Sequence, residues 1–293
     1  MRPRALIAVL GVIVAAVVVI VVAVAGGGSA TSTLDPVARA AETTSSVAGA
    51  QIEMTGSVGV TGLSQPLRFD GRGSFDLRNH EGSFDITISG LPQATQALTG
   101  SSLAMKELFK SDAIYVGTPL FSGKLPNGAS WVKLDLAKFE QAAGLDPSAL
   151  TSGGVDPSEF LSYLRGAGSG VKLAGHDTIR GIPTTHYSGD LDVRRAIEAT
   201  PGVKSSDAKA AIAKLLEAIG STKLPVNVWI DGKGRVRRIA ISMKVNASGQ
   251  SSDVDIDVDF LSFNASAPVT APPAAQVYDL TGSALSGLSS LGG

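Results

Sequence analysis

No cysteine occurs among the 293 residues. That excludes disulfides, thiolate metal sites, cysteine nucleophiles and a thioether-linked lipid anchor. An excess of one charge is also lacking: 25 Lys and Arg stand against 26 Asp and Glu, a net charge of -1. Without Arg2 and Arg4 the balance is 23 against 26. Phosphate binding leaves a basic footprint, so no nucleic-acid partner is expected. Aromatic residues make up only 5% and there are three histidines. No Gly-rich phosphate loop, no dinucleotide fingerprint, no H-E-x-x-H and no G-x-S-x-G is present, so neither a cofactor nor an enzymatic activity is expected.

A long hydrophobic run, by contrast, is there. Residues 5–25 are apolar throughout, with Gly11 the sole non-hydrophobe. At about 1.5 Å per residue a helix of that length spans roughly 30 Å, the hydrocarbon thickness of a bilayer. Arg2 and Arg4 precede it, which places the N-terminus in the cytoplasm and the following chain outside. The run closes on Ala23-Val24-Ala25, a pattern that signal peptidase reads. Residues 1–25 are therefore a signal anchor or a cleaved signal peptide. Under either reading the remainder is extracytoplasmic, tethered to the outer face of the membrane through residues 5–25 or secreted to the envelope.

Residues 26–33 are small and polar, a flexible tether. Asp35 and Pro36 suit the start of a short helix over residues 37–47. From residue 51 the pattern has period two. Leu67, Phe69, Phe75 and Leu77 share one face with Gly71 and Gly73, while Arg68, Asp70, Arg72 and Asp76 point the other way. Two glycines on the apolar face predict a bend, or room for something to lie against the backbone. Further strands are expected at 84–88, 113–116, 131–136 and 178–190. Short helices are expected at 136–143, 158–164 and 193–199, and an amphipathic helix at 207–219. Val226, Val228 and Ile230 alternate into Asp231-Gly232-Lys233-Gly234, and Ile239, Ile241, Met243 and Val245 alternate back, a hairpin. Residues 254–260 form a last strand, with Asp253, Asp255, Asp257 and Asp259 on its polar side. The Ala/Pro/Ser/Gly-rich stretch 264–293 reads as a disordered tail, leaving residues 34–263 as one domain.

Candidate chemistry is sparse. His80, His176 and His186 sit in polar turns and strands, and a hydrolase with a dispersed Ser-His-carboxylate triad ranks last among the readings. The four-aspartate ladder could attract Ca²⁺ only if a second ligand set faced it. Its simpler reading is a solvated face that protects an edge strand, paired with Arg235, Arg237 and Arg238 on the strand before it. No metal site is assigned.

The fold class is α+β: a curved antiparallel half-barrel covered by helices and preceded by one N-terminal hydrophobic helix. Aliphatic side chains dominate its interior, which suits an apolar pocket. The residues expected to line it are Phe69, Phe75, Phe84, Ile86, Leu134, Leu164, Leu215, Ile219, Val228 and Ile241, all equally fit for a packed core.

Four segments carry a family resemblance: residues 40–56, 128–136 (Gly-Ala-Ser-Trp-Val-Lys-Leu-Asp-Leu), 175–192 with Gly-His-Asp-Thr-Ile-Arg-Gly-Ile-Pro, and 224–243 with Leu-Pro-Val-Asn-Val-Trp-Ile-Asp-Gly-Lys-Gly. In this order the chain resembles the LppX/LprA/LprG type of actinobacterial envelope lipoprotein, itself similar to the LolA half-barrel. The resemblance implies a cavity between half-barrel and helices that carries lipids or lipoglycans across the envelope; the chain is expected to be a monomer. It departs from the family at the lipobox, where Ala25-Gly26-Gly27 stands in place of the cysteine. The alternative function is a membrane-tethered envelope scaffold or sensor with a filled core.

Overall fold

The computed structural model describes residues 36–60, 65–76, 81–110, 113–135, 171–192, 223–247, 250–265 and 267–282, with the isolated residues 63, 79 and 138. Its body is one twelve-stranded sheet. The strands are β1 (Gly49–Val60), β2 (Leu67–Asp76), β3 (Glu81–Ser89), β4 (Ser102–Lys110), β5 (Ala113–Gly117), β6 (Trp131–Asp135), β7 (Lys172–Ile179), β8 (Ile182–Asp192), β9 (Lys223–Asp231), β10 (Val236–Ala247), β11 (Gln250–Phe263) and β12 (Val277–Asp279). Their order is β12-β6-β5-β4-β3-β2-β1-β11-β10-β9-β8-β7, antiparallel everywhere except the parallel β12–β6 pair. The sheet is open, with β12 and β7 at its two edges, and it is curved, as the twist of so many strands requires.

Alternation divides the residues between two faces. On the inner face Ile52, Phe69, Phe75, Phe84, Val228 and Ile256 belong to one buried cluster. The expected glycine feature is resolved here. A Cβ on Gly73 would meet the Phe84 ring at 2.7 Å, so that ring occupies the space the missing side chain leaves. At Gly71 nothing comes nearer than Ile86 Cγ1 at 3.4 Å. Gly73 is thus covered by an aromatic of the neighbouring strand, which supports packing there and not a void.

The outer face carries one continuous cross-strand row. His186 pairs with Trp229, Trp229 with Arg238, Arg238 with Asp259, Asp259 with Glu53, Glu53 with Arg72, Arg72 with Asp85 and Asp85 with Lys106. Charges of opposite sign meet at most steps, which favours this register over a slipped one.

Two helices are described. α1 (Pro36–Ser45) buries Val37, Ala40, Ala41 and Thr44. The Thr44 hydroxyl donates to the Ala40 carbonyl at 2.7 Å and accepts from the Val236 N–H at 2.8 Å, pinning the helix to the start of β10. α2 (Gln93–Thr99) packs beside β4.

Several expectations need correction. The aspartate ladder lies on β11, which is not an edge strand but sits between β1 and β10. Only Arg238 pairs with it as expected, through Asp259. Arg235 and Arg237 turn back to Asp231, because a bulge between Val236 and Arg238 takes Arg237 out of the alternation. Asp253 pairs with Lys244 and Asp255 accepts from the Ser242 hydroxyl. The tail is not disordered over residues 267–282. β12 adds to the edge of β6, the Leu280 N–H donates to the Lys133 carbonyl at 2.9 Å, and Thr281 is buried. Main-chain pairing needs no apolar pattern, so composition did not reveal it. The expected helices at 136–143, 158–164, 193–199 and 207–219, the apolar run 5–25 and His80 lie outside the described residues. Among the described residues no helix is long and apolar enough to cross a membrane.

Candidate functional site on the inner face

Six of the ten expected pocket residues converge. Phe69 and Phe75 on β2, Phe84 and Ile86 on β3, Val228 on β9 and Ile241 on β10 all join the inner cluster, none more than 7% exposed. Phe75 and Phe84 both pack on Phe109, with ring centroids 5.9 and 6.1 Å apart. Leu134 on β6 faces Ile114 on the same side and is half-buried. Leu164, Leu215 and Ile219 lie outside the described residues.

The face is apolar but not uniformly covered. Val258 of β11 and Met54 of β1 stand opposite each other at its centre and remain partly exposed, as do Tyr187, Met243 and Val116. Their neighbours Ile239, Ile256 and Ile86 are buried. The middle of the inner face, at Met54 and Val258, is thus less buried than the residues around it.

One residue on this face escaped the sequence reading. Glu107 of β4 stands between Met105 and Phe109 in the inner alternation, opposite Phe84 of β3 and Val116 of β5. Burial raises its carboxyl to about 7. The signal was a single charge at an apolar position of the Leu103, Met105, Phe109 series, and it hid the strand as well as the residue.

Two open grooves lie at the β8–β9 end, away from the centre. One of about 590 Å³ is lined by His176, Asp177, Thr184, Thr185 and Ile230. The other, of about 410 Å³, runs between α1 and β8, past Arg39, Thr43, Tyr187 and Ile230. Their mixed linings suit polar contacts better than an acyl chain. His186 beside them is held by its neighbours: Nε2 lies 2.9 Å from Asn227 Oδ1, Nδ1 lies 3.4 Å from Asp177 Oδ2, and the ring stacks on Trp229 at 4.3 Å. Trp229 donates its own Nε1–H to Asp177 at 2.8 Å. The cluster fastens β7, β8 and β9 together. Among the described residues no group of three His, Asp or Glu side chains is placed to hold a metal ion.

No family model matches the chain. An uncharacterized 31.2 kDa protein of Streptomyces griseus, encoded between rplA and rplJ, is 28% identical over 155 residues. That match covers 51% of this chain and 50% of the relative, about half the length of each. Among solved structures, the lipoprotein LppX of Mycobacterium tuberculosis is similar at a TM-score of 0.43 and 14% identity, over 81% of this chain and 96% of that one. LprF of Mycobacterium bovis is similar at 0.40 and 17%, over 84% and 99%. Both scores are too low to assign a shared fold, so the open curved sheet stands on its own strand order.

Proposed function

We propose that this chain is an extracytoplasmic envelope protein that holds a hydrophobic ligand, an acyl lipid or lipoglycan, against the inner face of its sheet. The observation that carries the reading is the partly exposed centre at Val258 and Met54, ringed by buried aliphatic residues. A ligand there replaces water on apolar surface, and each methylene buried contributes about 0.8 kcal/mol. Binding then needs few polar contacts, in keeping with a face that is apolar almost throughout. Residues 5–25 set the location, as membrane tether or export signal. Phe69, Phe75, Phe84, Ile86, Val228 and Ile241 form the floor of the site, with Leu134 toward the β6 side; Leu164, Leu215 and Ile219 are proposed for its cover. The LppX/LprA/LprG resemblance supports the same ligand class and a non-enzymatic, monomeric carrier.

The test is to express residues 29–293, record the native mass and extract the protein with organic solvent. A stoichiometric lipid supports the reading. A clean apo mass, with no uptake from envelope-lipid vesicles, overturns it in favour of a tethered scaffold.

A further inference from the structure

Glu107 is the one charged side chain that β3, β4 and β5 turn toward the inner face. Their other charged groups, Glu81, Asp85, Lys106 and Lys110, belong to the opposite alternation, where Lys110 pairs with Glu81 and Lys106 with Asp85. On the inner side Glu107 is flanked by Met105, Phe109, Phe84 and Val116. No hydrogen bond or ion pair to it is present among the described residues. An enclosed carboxyl without a partner costs stability, and the raised carboxyl at about 7 reflects that cost. Yet part of the residue stays accessible, more than of Phe109 beside it. A partly accessible acidic residue on an otherwise apolar face, with no partner among the described residues, is placed to meet a polar group of a ligand.

The apolar face runs on from Glu107 toward the centre of the sheet. Met105 and Ile86 lie in the same cross-strand row as Met54 and Val258, and Glu107 is one row further along β4. With strands about 4.8 Å apart, the carboxyl and the Met54 opening are about 15 Å from each other. A single ligand can span both.

Resting on the proposed lipid-binding reading, we infer that Glu107 is the polar anchor of the site and selects an acyl lipid whose head bears a hydrogen-bond donor, a hydroxyl or amine, and no negative charge. The carboxyl accepts from that donor at the Phe84–Val116 end, while the chain runs over Ile86 and Met105 toward Met54. At pH 8, where the Glu107 carboxyl is ionised, a phosphate or carboxylate head would set like charges together in an apolar surrounding and is disfavoured.

The test uses the full chain at pH 8 in phosphatidylcholine vesicles with four photoactivatable sixteen-carbon probes. Two are alcohols, one with the diazirine beside the hydroxyl and one with it at the far end. The third is the methyl ether of the first alcohol, and the fourth is its phosphate monoester. Cross-links are mapped by peptide mass spectrometry. The head-end alcohol is expected to label residues 81–89, 102–110 and 113–117, and the far-end alcohol the strands around Met54 and Val258. The ether and the phosphate are expected to label the Glu107 region at least about tenfold less, the range of one hydrogen bond to a charged group. Glu107→Met is expected to abolish the difference between alcohol and ether while keeping far-end labelling. Glu107→Gln, which retains an acceptor oxygen, is expected to restore part of it. Equal labelling by alcohol and ether, or a preference that survives in Glu107→Met, overturns the anchor but leaves lipid binding intact. No labelling of the inner face by any probe overturns both.

Discussion

Glu53 and Asp259 face each other across β1 and β11, two carboxylates in one cross-strand pair. Like charges so placed repel. Arg180, from the β7–β8 turn, reaches over the sheet and pairs with both. Arg72 closes the other side of Glu53, and Arg238 donates two hydrogen bonds to Asp259 at 2.5 and 2.7 Å. Burial pushes the Asp259 carboxyl up, but the bonds from Arg238 and Arg180 outweigh it and hold the group below its ordinary range. Arg180 itself takes a positive φ of 51°, and Gly181 after it 80°, the tight hairpin geometry that lets the turn reach across.

Replacing Arg180 by Met therefore leaves two neighbouring carboxylates short of a cation. Chemical unfolding is expected to show a loss of about 1–3 kcal/mol at pH 7. Because the Asp259 carboxyl is depressed, its contribution is complete above the unfolded carboxylate range and declines as pH falls below about 4. The gap between wild type and R180M should narrow in acid. A constant gap from pH 7 to pH 3 contradicts this assignment.

Glu107 has the opposite sign. Its carboxyl is raised from 4.5 to about 7, so the folded protein resists ionising it. The penalty begins as pH rises past about 4.5 and is complete above about 7, reaching roughly 3 kcal/mol at pH 8. Glu107→Gln should raise the melting temperature at pH 8 and leave it almost unchanged at pH 4. Equal melting shifts at the two pH values contradict the burial of this group.

At Gly73 the backbone is covered by the Phe84 ring, 2.7 Å from where a Cβ would stand. Gly73→Ala must shift both that ring and the still nearer Ser83 backbone carbonyl, at an expected cost of about 1–3 kcal/mol or more in urea unfolding. Gly71→Ala, whose nearest neighbour is 3.4 Å away, is expected to cost less. The reverse order would contradict the close approach of β3 to Gly73.

The segment 267–282 shields the outer edge of β6. Ending the chain after residue 265 exposes the β6 main chain, including the Ser130 N–H and Lys133 carbonyl that it now satisfies. An exposed edge recruits other strands, so the shortened protein should sediment as larger species where the intact chain does not. A shortened protein that stays the size of the intact one removes the protective role of β12.

Much of the sheet was legible because one face is wet and the other apolar. The hairpin from Val226 to Met243 is the clearest case: unbroken alternation on both strands meets around Asp231-Gly232, and β9 and β10 pair as expected. The alternation of Phe69 and Phe75, and of Phe84 and Ile86, likewise placed these side chains on the buried face. β4 was missed because Glu107 interrupts its apolar series. β12 was missed because Val277 to Asp279 pairs mainly through main chain, with β6 more than a hundred residues earlier. The position of β11 inside the sheet is set by its pairing with β1, a contact between the two ends of the domain that no local pattern encodes. Of the candidate site, the apolar cluster could be read from the period, whereas Glu107 beside it looked like a surface residue.

The central claim is that the middle of the inner face is space for a ligand, and filling that space tests it most directly. Met54→Trp places a larger side chain where Met54 and Val258 are partly exposed. The measurement is the lipid content of the purified wild-type and M54W proteins, by organic extraction and mass spectrometry, alongside their melting temperatures. The account predicts a stoichiometric lipid in the wild type and its loss in M54W, with the melting temperature kept or raised. A wild type that carries no lipid, or an M54W protein that carries as much as the wild type, contradicts it.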